Sequence, residues 1–345
     1  MNLLPTSDQQ QIIDAISDFL STQAPVSRFR EHGSIGSPDA KLLPHLGELG
    51  FLGISLSEKH GGTGLSSAEE MLVFREFGRH LISPFIFGQT LGARLAAISE
   101  LTELRDELLS GLCPVGIANP IQDVVIGPEC SGEFHLFDAL KAPHILLLNQ
   151  DGAALISSTH FKERHIVNAT DAIVILERAT LAQCTPDIWI ESSEDPIYRR
   201  ALMLLAAYAT GIGEATRDMA VEYANVREQF GKPIGSFQAI KHICADMAIR
   251  AEAAFSQTCF ASLVMAEDRE DSDFQVVSSK IVATETALKN SSDNIQVHGA
   301  IGFTADANAH HYLKRSHVID LLWGDLRKQR QSLLNLPAAS ARDGK

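Results

Sequence analysis

The feature that most constrains this chain is a set of long helical patterns filling its second half. Apolar and small residues recur at helical spacing over residues 198–227, 236–268 and 273–298, and a further pattern covers 309–334. At ~1.5 Å of rise per residue, a segment of roughly 30 residues runs the length of a domain. Four such segments in succession predict a helical bundle.

The first 110 residues are also helical in texture. Ile12, Ile13, Ile16, Phe19 and Leu20, then Leu43, Leu46 and Leu49, and later Met71, Leu72, Phe74 and Phe77 keep a helical period. The run GFLGISLSEKHGGTGLS (50–66) interrupts them, and its glycines and small polar residues mark a loop. The apolar run leading into it reads as packing and loop, not as a ligand contact.

Between 112 and 194 the texture changes to short apolar runs, CPVGIANP, DVVIG, EFHLFDA, HILLLNQ, GAALISS and AIVILE, separated by Gly, Pro, Asn and Asp. That is the pattern of a small β domain. The predicted fold is mostly α with a small β insert. An N-terminal helical domain (1–110) precedes a reduced β middle domain (111–195) and a C-terminal four-helix bundle (196–336). The tail PAASARDGK (337–345) is expected to be disordered.

With 345 residues, 45% hydrophobic content and mean hydropathy of +0.02, the chain is long and apolar enough to bury more than one core. A net charge of -14 excludes a polyanion-binding face, so no nucleic acid is expected. Five cysteines form neither a CxxC pair nor a Cys/His cluster, and the odd number suits a reducing compartment. The N-terminus lacks a basic region followed by an apolar core, and no apolar stretch reaches the ~20 residues of a membrane span. A cytoplasmic location is expected.

Two segments carry a more specific message. VREQFGKPIGSFQAIKHICADMA (226–248) joins the first two long C-terminal helices, and the third ends in QVHGAIGFTADANAHHYLKR (296–315). Both resemble C-terminal signatures of the flavin-dependent acyl-CoA dehydrogenases, and LGELGFLGISLSEKHGGTGLS resembles that family's N-terminal loop. The resemblance covers nearly the whole chain, strongly in the helical regions and weakly in the middle. It implies an acyl-CoA substrate, FAD as cofactor and α,β-desaturation of a thioester.

By that resemblance Arg227, Phe230, Gln238, Gln296, Gly299 and Gly302 hold the ADP portion of an FAD bound mainly by a neighbouring subunit. The chemistry agrees. A guanidinium can grip a pyrophosphate through two hydrogen bonds, an aromatic ring can lie against adenine or flavin, and glycines admit an anion to backbone N–H groups. Ala300 replaces the second glycine of the family's usual pair.

The family's reaction needs a base for the Cα proton and a flavin to receive the Cβ hydride. The usual Glu lies nine residues after a basic residue in the last helical region, which from Lys314 is Trp323, and indole is only a donor. The alternative Glu position early in the first long helix is Ala201. The middle domain also lacks the family's Thr/Glu-rich Gly-Ser-Asp strand and its Trp-Ile-Thr-Asn-like strand. The pattern resembles the short, base-lacking subunit of heterotetrameric acyl-CoA dehydrogenases of steroid side-chain degradation, in which a related, Glu-bearing partner completes the site.

Two other readings stay open. The chain could be self-sufficient with a non-standard carboxylate as base, Asp320 being one turn from Trp323 if the helix is continuous and Asp325 lying close by. It could instead be a flavin-free interaction protein of the same fold. His310, His311 and His317 read as helix-surface residues, no metal site being expected. Arg199, Arg200, Glu194 and Asp195 read as surface charge, with a role near the CoA phosphates staying open for the arginines. The small residues of LLAAYATGIGEA (204–215) permit close helix approach, within the subunit or between subunits.

Overall fold

The computed structural model describes residues 3–30 and 39–337. All of the expected disordered tail except Pro337 lies outside the described residues. Helices α1 (Ser7–Gln23), α2 (Leu43–Glu48), α3 (Ser67–Arg79), α4 (Phe85–Ile98) and α5 (Thr102–Leu109) come first. Strands β1 (Val115–Val125), β2 (Cys130–Phe137), β3 (His144–Leu148), β4 (Gly152–Ser157), β5 (Phe161–Ile166), β6 (Leu176–Cys184) and β7 (Ile188–Glu191) follow. After them come α6 (Ile197–Val226), the short strands β8 (Glu228–Gln229) and β9 (Lys232–Pro233), α7 (Gln238–Ala266), α8 (Ser272–His298), α9 (Ala309–Leu321) and α10 (Leu326–Asn335).

The chain forms two compact units that interleave along the sequence. One comprises Met1–Glu31, Ser67–Leu81 and Leu202–Lys345, the other His32–Ser66 and Ile82–Ala201. The textural boundary at residue 110 is therefore not a spatial one, because the first 110 residues divide between both units.

In the helical unit, α1 starts at a capping box: Thr6 Oγ1 accepts from Gln9 N–H, and Gln9 Oε1 accepts from Thr6 N–H at 3.0 Å. Ile13, Ile16 and Leu20 then fall on one buried face. Helices α3 and α6 touch backbone to backbone. A Cβ on Gly78 would sit 1.9 Å from Tyr208 O, and one on Gly211 would sit 1.9 Å from Arg75 O. The small-residue stretch 204–215 thus serves packing inside the subunit. Around this crossing Arg75 Nε donates to Glu214 (2.6 Å) and Arg79 reaches Glu214 (3.4 Å) and Asp218 (2.9 Å). Burial raises the pKa of the neighbouring Glu76 even though both arginines oppose the shift.

In the sheet unit the strand order is β5-β6-β2-β1-β3-β4-β7, with β1 and β3 parallel and the other pairs antiparallel. Helix α4 is apolar nearly all round and lies on β1, where a Cβ on Gly88 would come within 2.7 Å of Val115 O. Gln89 ties the ends together, donating to Leu108 O and Cys113 O and accepting from Val115 N–H. The apolar runs mark β1 to β4, but β5 and β7 were not among them, and of AIVILE only Leu176 and Glu177 are strand. Both missed strands lie at sheet edges: β5, FKERHI, has the mixed polar sequence that an edge tolerates, and β7, IWIE, is only four residues long.

Asp195 corrects the surface-charge reading. It is 7% exposed and holds Arg94 through two of its oxygens, at 3.0 and 3.1 Å from Nε. Arg200 donates to Ser55 Oγ at 2.8 Å, which ties the glycine-rich loop to the start of α6.

Candidate functional site

Helix α6 stops at Val226, and Arg227 N–H still closes onto Tyr223 O at 2.9 Å. The strands β8 and β9 then make a hairpin whose two turn residues, Phe230 (φ 53°) and Gly231 (φ 76°), are both left-handed, as a two-residue turn of this hand requires. That turn lifts Phe230 into solvent at 92% exposure. The ring of Phe237 lies 6.0 Å away with its plane at 84°, and Lys232 Nζ lies 4.5 Å above Phe237.

The end of α8 approaches the same place. Tyr223 stacks on His298, and the ends of α6, α7 and α8 share a small core of Ala220, Ala224, Met247 and Val297. The structure thus brings the Arg227–Phe230 hairpin, the α7 N-terminus at Gln238 and the α8 C-terminus at Gln296 to one end of the bundle. Arg227, Phe230, Gln238, Gln296 and Gly299 are all exposed. Gly299 has φ 66°, its N–H donates to Gln296 O, and a Cβ there would meet nothing within 4 Å, so no side chain crowds the turn.

Gly302 has a different job from the one expected. It is buried, and a Cβ would lie 3.0 Å from Ile295 O, so its missing side chain lets the turn fold back on α8.

The last helical region departs from the single helix expected over 309–334. It breaks after Leu321, and α10 begins only at Leu326. Trp323 sits in the break with φ 57°, only 2% exposed, and Gln329 Nε2 donates to its carbonyl at 3.2 Å. Asp320 is therefore not on a continuous helix with Trp323. Its Oδ1 accepts from Leu326 N–H at 2.9 Å, while Asp325 Oδ1 accepts from Lys328 N–H at 2.8 Å. Both carboxylates are engaged as caps of α10.

Beneath the break lies a residue that sequence reasoning missed. Lys280, 1% exposed, donates to Ile319 O at 2.8 Å in the last turn of α9, where a cation suits the helix dipole. Burial pushes its pKa down to about 8, against the pull of Asp320 and Asp325. A lysine in an otherwise small, apolar stretch of α8 was the available signal.

Ala201 is fully buried in α6 and, like Trp323, brings no titratable group. His310 corrects another reading: it is buried, its ring 4.0 Å from that of His311, which in turn meets Phe29 at 5.4 Å. Among the described residues no group of three or more His, Cys, Asp or Glu is placed to hold a metal ion, and no helix is long and apolar enough to cross a membrane.

Two family models match, the acyl-CoA dehydrogenase N-terminal domain over residues 6–113 and the acyl-CoA dehydrogenase C-terminal domain over 200–333. The chain belongs to the acyl-CoA dehydrogenase family. Its members are FAD-dependent oxidoreductases acting on CH–CH groups. Acyl-CoA dehydrogenase FadE34 of Mycobacterium tuberculosis is 35% identical over 280 residues, which is 79% of this chain but only 39% of that protein. Acyl-CoA dehydrogenase IpdE2 of the same organism is 28% identical over 277 residues, 78% of each chain.

The acyl-CoA dehydrogenase fold is shared with solved structures of lower identity. Glutaryl-coenzyme A dehydrogenase in its glutaryl-CoA complex superposes with a TM-score of 0.84 at 19% identity, over 97% of this chain and 96% of that one. A chain of the ChsE4-ChsE5 complex from Mycobacterium tuberculosis gives 0.84 at 20%, over 98% and 100%.

Proposed function

We propose that this chain is a base-lacking acyl-CoA dehydrogenase subunit that completes the FAD site of a related partner chain. One observation carries the reading. The turn in which the family's base is expected holds buried Trp323, and both nearby carboxylates cap a helix, while Arg227, Phe230, Gln238, Gln296 and Gly299, the residues expected to hold the ADP portion, stand exposed at the C-terminal ends of α6 and α8 and the start of α7.

The exposed set suits FAD. Arg227 offers a planar cation for the pyrophosphate, Phe230 a flat apolar face for an aromatic ring, Gln238 and Gln296 carboxamides, and Gly299 a turn with no side chain in the way. When bound, FAD supplies the acceptor for the hydride leaving Cβ. This chain's residues hold and orient the dinucleotide, and the partner supplies the carboxylate that takes the Cα proton. The assembly is a hetero-oligomer, most simply a tetramer with closed symmetry.

The sequence resemblance to the short subunits of steroid side-chain degradation suggests a steroid-like acyl-CoA as substrate. The Tcur3481-Tcur3483 steroid ACAD, which shares the fold, supports that class. The ChsE4-ChsE5 structure is likewise a complex of two differently named chains.

The test is to purify the chain alone and together with a Glu-bearing acyl-CoA dehydrogenase chain. The expected outcome is a colourless solitary chain and a yellow, active complex. A solitary chain that holds one FAD per protomer and desaturates an acyl-CoA overturns the reading. A complex that is colourless supports the flavin-free interaction protein instead.

A further inference from the structure

Cys130 opens β2 and Cys184 closes β6, and the two are direct partners on the antiparallel β2–β6 ladder. Opposed residues on such a ladder have Cα atoms about 4.5 or 5.5 Å apart and side chains on one face. Both spacings fall within the roughly 4.4–6.8 Å that a disulfide spans. The packing agrees, because Cys130 lies in the sheet core and Cys184 packs against that same core. Both thiols are free, and Cys130 Sγ–H donates to Gly127 O at 3.3 Å. The ladder slips register between Cys130 and Gly132, so the pair stands at a bulge where strand pairing is locally disrupted.

We propose that Cys130 and Cys184 form an oxidisable dithiol that closes to a cross-strand disulfide, with a hydroperoxide such as hydrogen peroxide as the oxidant. Cys184, the less buried of the two, reacts first. Its sulfur attacks one peroxide oxygen, the O–O bond breaks, and the thiol proton leaves with the departing oxygen as water, which makes Cys184 a sulfenic acid. Cys130 sulfur then attacks Cys184 sulfur. The S–S bond forms, the S–O bond breaks, and the Cys130 proton leaves with the hydroxyl as a second water. The two thiols lose two electrons in all, and one peroxide gains them.

Burial raises the pKa of both thiols, and Asp187 raises that of Cys184 further. Thiolate is the reactive form, so the raised pKa slows the first attack. Once closed, the bridge joins two strands at the point where their ladder is weakest.

The test exposes the natively folded, purified protein to hydrogen peroxide, traps remaining thiols by alkylation in denaturant, and maps peptides by mass. The expected result is one cross-linked peptide pair joining Cys130 to Cys184, with Cys113, Cys244 and Cys259 alkylated, and slower amide hydrogen exchange in β2 and β6. Cys184→Ser is expected to abolish the cross-link and leave Cys130 alkylatable. Recovery of both residues as alkylated thiols, oxidation of Cys184 to a sulfinic acid beside a free Cys130, or a bridge between two copies through Cys184 overturns the proposal. The experiment needs neither flavin nor partner, so its outcome is independent of the proposed subunit role.

Discussion

Tyr223 lies flat against His298, with ring centroids 4.1 Å apart and planes 20° from parallel. His298 Nδ1 is 2.8 Å from Asn294 O, and a carbonyl only accepts, so Nδ1 carries the proton and the ring cannot flip without losing that bond. Burial lowers the pKa of His298, which favours the neutral ring. The stack fixes the end of α6, four residues before Arg227, to the end of α8, two residues after Gln296.

Breaking that stack should loosen both sides of the proposed dinucleotide site at once. His298→Ala is expected to cost about 1 kcal/mol, the scale of an aromatic pair, and His298→Phe much less. Flavin fluorescence on the assembled complex should show FAD held roughly fivefold more weakly by the Ala variant and within about twofold of wild type by the Phe variant. Equal losses in both variants would mean that stacking is not what holds the site.

Asp320 and Asp325 are expected to matter for stability and not for turnover. Each accepts a backbone N–H at the start of α10, so Asp320→Ala or Asp325→Ala should cost about 1 kcal/mol in chemical denaturation, while Asp320→Asn keeps an accepting oxygen and should cost little. Steady-state desaturation by the assembled complex should be unchanged. A large fall in kcat for Asp320→Asn, with folding intact, would restore it as a base.

The buried Lys280 predicts a pH dependence at the alkaline end. Below pH ~8 both folded and unfolded chains carry the proton, and the charge-burial penalty is constant. Between the folded value of about 8 and the ordinary 10.5 the unfolded chain holds a proton that the folded chain has released. Stability from this group therefore rises with pH across that window. The difference in unfolding free energy between wild type and Lys280→Met, measured from pH 7.5 to 10.5, should shift in favour of wild type as pH rises. A flat difference would show that Lys280 keeps its ordinary pKa.

Much of the fold was legible because it rests on local periodicity. Ile13, Ile16 and Leu20 line one face of α1 as their spacing requires, and the long patterns became α6, α7 and α8. The break between α9 and α10 was missed because apolar spacing continues through Leu321, Leu322 and Trp323. Gly324 at φ 112° and Asp325 as an N-cap were the signals that outweighed it. The ion pair of Arg94 with Asp195 joins residues 101 apart, and no local pattern announces such a contact. At the candidate site the residue types were legible from the motifs, but their shared end of the bundle depends on packing among three helices.

At the α3–α6 crossing, Gly78→Ala and Gly211→Ala are each expected to destabilise by about 3 kcal/mol or more, because overpacking here has no side chain to displace. Thermal denaturation of the single variants checks this. A loss below about 1 kcal/mol would mean that the helices can separate freely.

That contact also shapes how the sequence can change over time. In both directions the obstacle to a larger residue is the other helix's carbonyl oxygen, Tyr208 O or Arg75 O, which every amino acid supplies alike. No substitution at either facing position can act as a suppressor, so the two glycines form a pair of sites closed to compensation, and any lineage that replaces one must first re-space the helices.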